Sequence, residues 1–305
     1  MQYPLIASPL NYTGGKFKLL PQILPLLPKR IDTFVDLFCG GCNVGLNVRS
    51  KKIIYNDIND KLIKLYRFFK DIDSKDAIER IYNIIAKYEF SLVSKYGYEF
   101  YNCNSKKGLS KYNKDRFLKL RNDFNAMNYA ASDYCILFYV MIVYAFNNQI
   151  RFNSNGEFNL PVGKRDFNAK MEQKLIDFIE RLQKQNSEFS NSDFRNFNVQ
   201  ELNKNDFIYI DPPYLITCAT YNENGGWLNK DELDLLEFLD VLDSKKIKFA
   251  LSNVLTNKGK TNEILKSWLE NRNYKTYHLN YKYSNSNYQI KNKSLSSDEV
   301  LIINY

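Results

Sequence analysis

Two periodicities alternate along the chain. Thr33–Phe38 (Thr-Phe-Val-Asp-Leu-Phe) is a short β-prone run that stops at Cys39-Gly40-Gly41, and Lys52–Asn56 (Lys-Ile-Ile-Tyr-Asn) is a second, ending at Asp57. Their spacing predicts a β-α-β unit with a helical connection. From Asp71 to about Asn147 the period changes to that of helices, as in Ile78, Ile81, Ile84 and Ile85, then Phe117, Leu120 and Phe124. A polar stretch, Asn102–Asn113, interrupts this region as an exposed loop. The longest apolar run, Tyr134–Phe146, is too short to span a bilayer and predicts a buried helix. Arg151–Leu160 reads as a β-hairpin with Asn155-Gly156 at its tip. Strand signals return at Asp206–Ile210, Lys248–Leu251 and Val300–Asn304, with helices at Lys230–Leu242 and Thr261–Asn271 between them. The expected architecture is an α/β sheet, residues 1–70 and 171–305, split by a mostly helical insertion at residues 71–170.

Composition adds a partner class. The 305 residues carry a net charge of +9, which favours a polyanion, nucleic acid first. Tyr and Phe number 23 and 21, a supply of rings for base stacking or for an ordinary core. No basic start followed by an apolar core opens the chain, and the five cysteines are an odd number. A cytoplasmic protein without a disulfide framework, and with no place in a membrane, is expected. Cys39 and Cys42 form a C-x-x-C, but no second such pair accompanies it and the only histidine, His278, is distant. A metal is not expected.

Chemistry concentrates in three segments. Asp211-Pro212-Pro213-Tyr214 follows the apolar strand Phe207–Ile210, at the carboxyl end where open α/β sheets bind ligands. Two prolines stiffen the backbone and remove two donors. An exocyclic amine is a poor nucleophile because its lone pair is delocalised into the ring. Acceptors placed against its two N–H bonds free that pair, and the Asp211 carboxylate and Pro212 carbonyl are two such acceptors. Tyr214 can stack on a base taken out of a duplex. The glycine-rich run Asp36–Gly45, with Phe38 and Gly40 inside it, suits a nucleotide cofactor but does not match a P-loop. Asp57, at the next strand end, can accept from both ribose hydroxyls of an adenosine cofactor. That pair of features leaves NAD and S-adenosylmethionine open. Lys16, after Gly14-Gly15, can reach a carboxylate such as the methionine end of the latter.

Taken in order, Tyr12–Lys16, Asp36–Gly45, Asn56–Asn59, Arg151–Gly163, Asp211–Tyr214, Leu251–Asn253 and Glu299–Tyr305 resemble the Dam-type DNA adenine N6-methyltransferases, a bacterial and phage family. The resemblance implies a Rossmann-like methyltransferase sheet. It implies S-adenosylmethionine as cofactor, S-adenosylhomocysteine as product, and no metal. It implies base flipping and site-specific methylation of double-stranded DNA. A partnership with a restriction endonuclease is open. It makes Tyr12, Lys16, Asp57 and Asp211 cofactor contacts, with Asp36, Phe38 and Gly40 from the glycine-rich run, and the insertion a DNA-recognition domain. It sets Arg151 against a guanine beside the target adenine; a phosphate clamp and a pair with Glu157 are the alternatives. Phe146-Asn147-Asn148 reads either as an intercalating wedge or as helix-end packing. Relatives that methylate GATC carry an arginine- and serine-rich stretch before the last strand; here Tyr283–Lys293 holds Asn and Lys, which leaves the target site open. Rival readings are methylation of cytosine N4, RNA adenine or a glutamine amide, and a non-catalytic DNA-binding protein on the same fold.

Overall fold

The structure is a computed structural model, and it describes residues 4–217, 226–280 and 297–305. The stretch Tyr283–Lys293 lies outside the described residues. Contacts divide the chain into two units, one of residues 1–15 and 61–185, the other of residues 16–60 and 186–305.

The second unit holds the sheet. Its strands are β1 (Thr33–Asp36), β2 (Lys52–Asn56), β3 (Ser187–Ser190), β4 (Phe207–Ile210), β5 (Lys248–Asn257), β6 (Lys260–Thr261), β7 (Lys275–Leu279) and β8 (Ser297–Ile303). The order is β3-β2-β1-β4-β5-β8-β7, with β6 paired to β5. The β3-β2, β2-β1, β1-β4 and β4-β5 pairs are parallel, while β8 runs antiparallel to both β5 and β7. The direction of strand progression therefore reverses between β1 and β4, the topological switch point where such sheets bind ligands. All four residues of β4 are buried, as the continuous apolar run Phe-Ile-Tyr-Ile requires of a strand covered on both faces. Asp206 fixes the entry to β4: its two carboxylate oxygens accept the N–H groups of Thr33 and Asn203, each at 2.8 Å. One sheet face packs Val35, Ile208, Ile210 and Leu251 against Leu235, Leu239 and Leu265 from the helices Asn229–Ser244 and Glu263–Glu270.

The β1-β2 connection differs from the expected helix. It contains only a 3₁₀ turn, Gly45–Asn47. The reason is local. Gly40 and Cys42 take left-handed φ values of 44° and 58°, which interrupts any helical run. The Asp36 carboxylate then captures the Gly45 N–H at 3.0 Å. A Cβ on Gly45 would stand 2.5 Å from the Tyr55 ring, so the loop closes tightly onto β2 only because this residue is glycine.

The first unit is helical over residues 61–71, Ser74–Lys87, Val93–Tyr96, Ser110–Ala126, Tyr134–Tyr144 and Ala169–Lys184. Every residue of Tyr134–Tyr144 is buried, which explains an apolar run with no amphipathic period. Phe69 packs edge-on to Tyr139 and Phe178, at 5.6 and 6.2 Å between centroids. Asp73 and Asn168 cap their helices through side-chain oxygens. In Arg151–Leu160, Phe152 and Phe158 form one isolated antiparallel bridge, and the described residues carry no strand ladder there.

Candidate active site and candidate reading turn

Three strand ends meet at the switch point. β1 ends at Asp36, β2 delivers Asp57 and β4 delivers Asp211. Asp57 is almost buried, and its carboxylate accepts the N–H groups of Gly40 and Asn59, both at 2.9 Å. Gly40 thus joins the glycine-rich loop to the acid at the adjacent strand end. Burial pushes the Asp57 carboxyl above its usual range, and the two N–H bonds pull it back.

Asp36 is buried and its carboxyl is pushed up from 3.8 to about 7, first by burial, against the Gly45 N–H, then by the Asp211 and Asp57 carboxylates. A raised folded-state value means the folded chain holds a proton that the unfolded chain has released. That stabilisation is present in acid and is lost as pH rises through about 7. Asp36→Asn is therefore expected to flatten part of the fall in thermal midpoint with rising pH over this window. Parallel pH profiles for the two proteins would remove Asp36 from that role.

Asp211 keeps 18 % of its side chain exposed, and its Oδ1 receives two groups. Lys16 Nζ lies 2.9 Å away and the Tyr214 hydroxyl donates at 2.9 Å. Lys16 also approaches Glu299 Oε1 at 3.5 Å, and the Tyr214 hydroxyl lies 3.3 Å from the same oxygen, so its one proton is shared between the two carboxylates. The Lys16 ammonium stands 5.0 Å from the centre of the Tyr214 ring. Burial raises the Asp211 carboxyl; Lys16 opposes this, and Glu299 adds to it. None of the described contacts uses Asp211 Oδ2. Pro212 is buried, and its carbonyl accepts no hydrogen bond among the described residues. Lys16 accordingly meets protein carboxylates, and sequence reasoning missed Glu299 as their second member. The available signal was an acidic residue heading the apolar run Val300–Ile303, and Glu299 is only 2 % exposed.

Phe38 sits against Phe194 and Trp227, with ring centroids 5.5 and 6.0 Å away. Trp227 packs against this ring, and its indole also donates to Glu232 at 2.6 Å. Glu232 is fully buried and accepts from Asn262 and Asn253 at 2.7 and 3.2 Å, so neutral donors satisfy the carboxylate. This support for the Phe38 loop was not visible in the sequence. Cys39 and Cys42 are buried inside the same loop, where the Cys42 N–H donates to the Cys39 carbonyl at 2.6 Å. Burial pushes the Cys39 thiol up, away from the thiolate that metals bind. Among the described residues no group of three or more His, Cys, Asp or Glu side chains is arranged to hold a metal.

The first unit holds the other candidates. Tyr12 belongs to it, and its carbonyl accepts the Gly15 N–H at 3.2 Å. Phe146 is 45 % exposed, and Asn147 and Asn148 after it both take φ of 53°. Asparagine tolerates that left-handed region better than most residues. Asn11 donates to the Asn147 carbonyl at 2.8 Å and secures the turn. Arg151 does not pair with Glu157, which accepts from Asn153 at 2.8 Å. Its guanidinium donates instead to the Asn159 side chain at 2.7 Å and to the Asn159 carbonyl at 3.3 Å.

The turn is held from outside by the helix Ser110–Ala126. Asn125 donates to the Phe158 carbonyl at 3.1 Å and accepts the Phe158 N–H at 2.9 Å. Arg121 donates to the Leu160 carbonyl at 3.1 Å. These side chains supply bonds that a ladder would otherwise make, which explains how Arg151–Leu160 holds its shape on one bridge. A polar groove of about 570 Å³ lies between helix and turn, lined by Asn122, Asn125, Asn153, Glu157 and Asn159 among others.

Comparison with known proteins bears on this geometry directly. Residues 12–285 match the model of the D12 class N6 adenine-specific DNA methyltransferases. The chain belongs to this family. It is 42 % identical to the modification methylase StsI of Streptococcus sanguinis and to the type II methyltransferase M.FokI of Planomicrobium okeanokoites, over 98 % of this chain and 43 % of each relative. It therefore spans less than half the length of those two proteins. A DNA adenine methylase of Salmonella typhi is 28 % identical over 80 % of this chain and 79 % of its own length. For a D12-class chain, the acidic strand ends and the Asp211–Tyr214 tetrapeptide lie in one unit, and the Arg151 turn lies in the other. Among the described residues no helix is long and apolar enough to cross a membrane.

Proposed function

We infer that this chain transfers a methyl group from S-adenosylmethionine to N6 of a specific adenine in double-stranded DNA, after the base has been flipped out of the duplex. The observation that carries the reading is the pair of acceptors at the end of β4. Asp211 Oδ2 and the buried Pro212 carbonyl are both without a described donor, and an exocyclic amine has two N–H bonds to give them. Two such bonds draw the nitrogen out of conjugation and direct its lone pair. Lys16 and the Tyr214 hydroxyl on Oδ1 hold the carboxylate in place.

The residues at the switch point fit the cofactor. Asp36 and Asp57 are desolvated acids with raised carboxyls, groups that gain from a ligand rich in hydroxyl donors and positive charge. Asp57 would take the ribose, and Phe38 and Gly40 would line the same pocket. When bound, S-adenosylmethionine supplies an electrophilic methyl group on a sulfonium. Neither the Asp211 carboxylate nor the Pro212 carbonyl needs a metal to act as an acceptor.

In the first unit, Arg151 reads a base beside the target, and Phe146 with Asn147 and Asn148 is a wedge that opens the stack. This makes the helical unit the recognition domain. One relative with 42 % identity is named a modification methylase and the other a type II methyltransferase, so pairing with a restriction endonuclease of the same specificity is the partnership we infer.

Digesting DNA from cells that express the chain and identifying the methylated nucleoside tests the activity. N6-methyladenine at one sequence context is expected; N4-methylcytosine, or unmodified DNA, would sink it. Asp57→Ala is expected to weaken cofactor binding about tenfold or more while leaving the rate at saturating cofactor within a few-fold, because ribose contacts hold ground and transition states alike. Equal affinities by titration calorimetry would take Asp57 out of the pocket.

A further inference from the structure

We propose that Val93–Lys114 is a second DNA-contacting surface, one that takes the sugar-phosphate backbone of duplex flanking the recognised site. The inference rests on the reading of the chain as a DNA methyltransferase and extends its footprint beyond the turn that carries Arg151.

The surface is charged, with cations in excess. Between Val93 and Lys114 there are five lysines, at 95, 106, 107, 111 and 114, and one acidic residue, Glu99. Lys95, Lys106, Lys107, Lys111 and Lys114 are all exposed, and none forms an ion pair among the described residues. Elsewhere the half-buried Arg80 pairs with Asp133, and Arg195 with three aspartates. Uncompensated like charges repel, so this cluster lowers its free energy by meeting a polyanion.

The surface is also aromatic. Phe100 is 64 % exposed and Tyr96 is 48 % exposed. Their rings stack on each other at 5.0 Å, and the Lys95 ammonium stands 5.0 Å from the centre of the Tyr96 ring. Single exposed aromatics need no explanation, but a stacked pair with the exposed Lys95 over one of its rings presents apolar and cationic groups together. Deoxyribose faces next to phosphates ask for that combination.

The platform is built rather than loose. Tyr101, beneath it, is buried; its ring meets Phe100 at 5.0 Å and Tyr112 at 4.6 Å, and its hydroxyl accepts the Leu92 N–H at 2.8 Å. Asn104 shapes the lysine turn. Its side-chain oxygen accepts the N–H groups of Lys106 and Lys107 at 3.1 and 2.9 Å, and its carbonyl accepts the Gly108 N–H at 2.8 Å. Gly108 takes φ of 70°, and a Cβ there would stand 2.7 Å from Lys164 Cβ, so the turn is pressed onto the segment that carries Lys164.

The test uses duplexes that carry one site mapped from methylated DNA, in lengths of about 12 and about 40 base pairs. Replacing Lys106 and Lys107 together by alanine is expected to lower the salt slope on the long duplex by about two units and its affinity at low salt about tenfold. Affinity for the short duplex and kcat should stay as in the wild type. Phe100→Ala is expected to weaken the long duplex without changing the slope. An unchanged slope on the long duplex, or equal losses on both lengths, would overturn the proposal. So would binding of the wild type to anionic phospholipid vesicles that the double variant loses while its DNA binding persists. A wild-type chain that methylates no DNA would instead defeat the underlying reading, whatever the lysines do.

Discussion

Asp211→Ala should lose at least two to three orders of magnitude in turnover, several kcal/mol of barrier at about 1.4 kcal/mol per tenfold. Asp211 is expected to matter most where the amine loses conjugation, so the deficit should persist at saturating DNA and cofactor. The fold should survive. The side chain sits at a strand end, and Lys16 still has Glu299 at 3.5 Å when Asp211 is gone. Cofactor affinity should fall only moderately. Asp211→Asn sharpens the test, because it keeps the shape but offers an N–H where a second acceptor is needed; it too should be severely impaired. A single-turnover rate above about a tenth of wild type for either variant would end the assignment. Circular dichroism and thermal midpoints near wild type would show that the loss is chemical.

What could be read from the chain beforehand was whatever is written in local chemistry. β2 falls where Lys-Ile-Ile-Tyr-Asn places it, and β4 lies within a residue of the expected Asp206–Ile210, because buried parallel strands are continuous apolar runs. The helix Asn229–Ser244 extends the expected Lys230–Leu242 at both ends. β3 was not legible: Ser187–Ser190 is an edge strand with polar residues and no buried position, so its pattern carries no period. The predicted helix after β1 failed because two left-handed residues and one carboxylate-to-backbone bond decide that loop, and neither leaves a periodic trace. In the site, Asp36, Asp57 and Asp211 were legible as acids at strand ends. Glu299 was not, because its role arises from β8 lying beside β5, a pairing of strands distant in sequence. Asn125 was hidden for the same reason. It reads as an unremarkable helix residue until the turn at Phe158 folds against it.

Arg151→Ala should relax sequence discrimination at one position while leaving general DNA binding largely in place. The guanidinium is already oriented by Asn159, so the free chain spends little entropy in presenting it. An arginine held this way can pair with O6 and N7 of guanine, which is worth roughly 1–3 kcal/mol against a wrong base, or about five- to over a hundredfold. The expected result is a loss of that size in kcat/KM on the mapped site and a smaller loss on duplexes that differ from it at one flanking position, so that the ratio collapses there and nowhere else. A phosphate clamp behaves differently: affinity falls by the same factor on every duplex, and the salt slope drops by about one unit. Asn125→Ala provides the control within the same unit. It removes both bonds that fix the Phe158 backbone without touching Arg151. If presentation of the arginine sets the discrimination, Asn125→Ala should lower the same ratio, at the same position, in a protein whose arginine is intact. Uniform losses across all duplexes for Arg151→Ala would sink base reading by Arg151. A selective loss for Arg151→Ala with none for Asn125→Ala would keep the base contact and show that the helix does not set its direction.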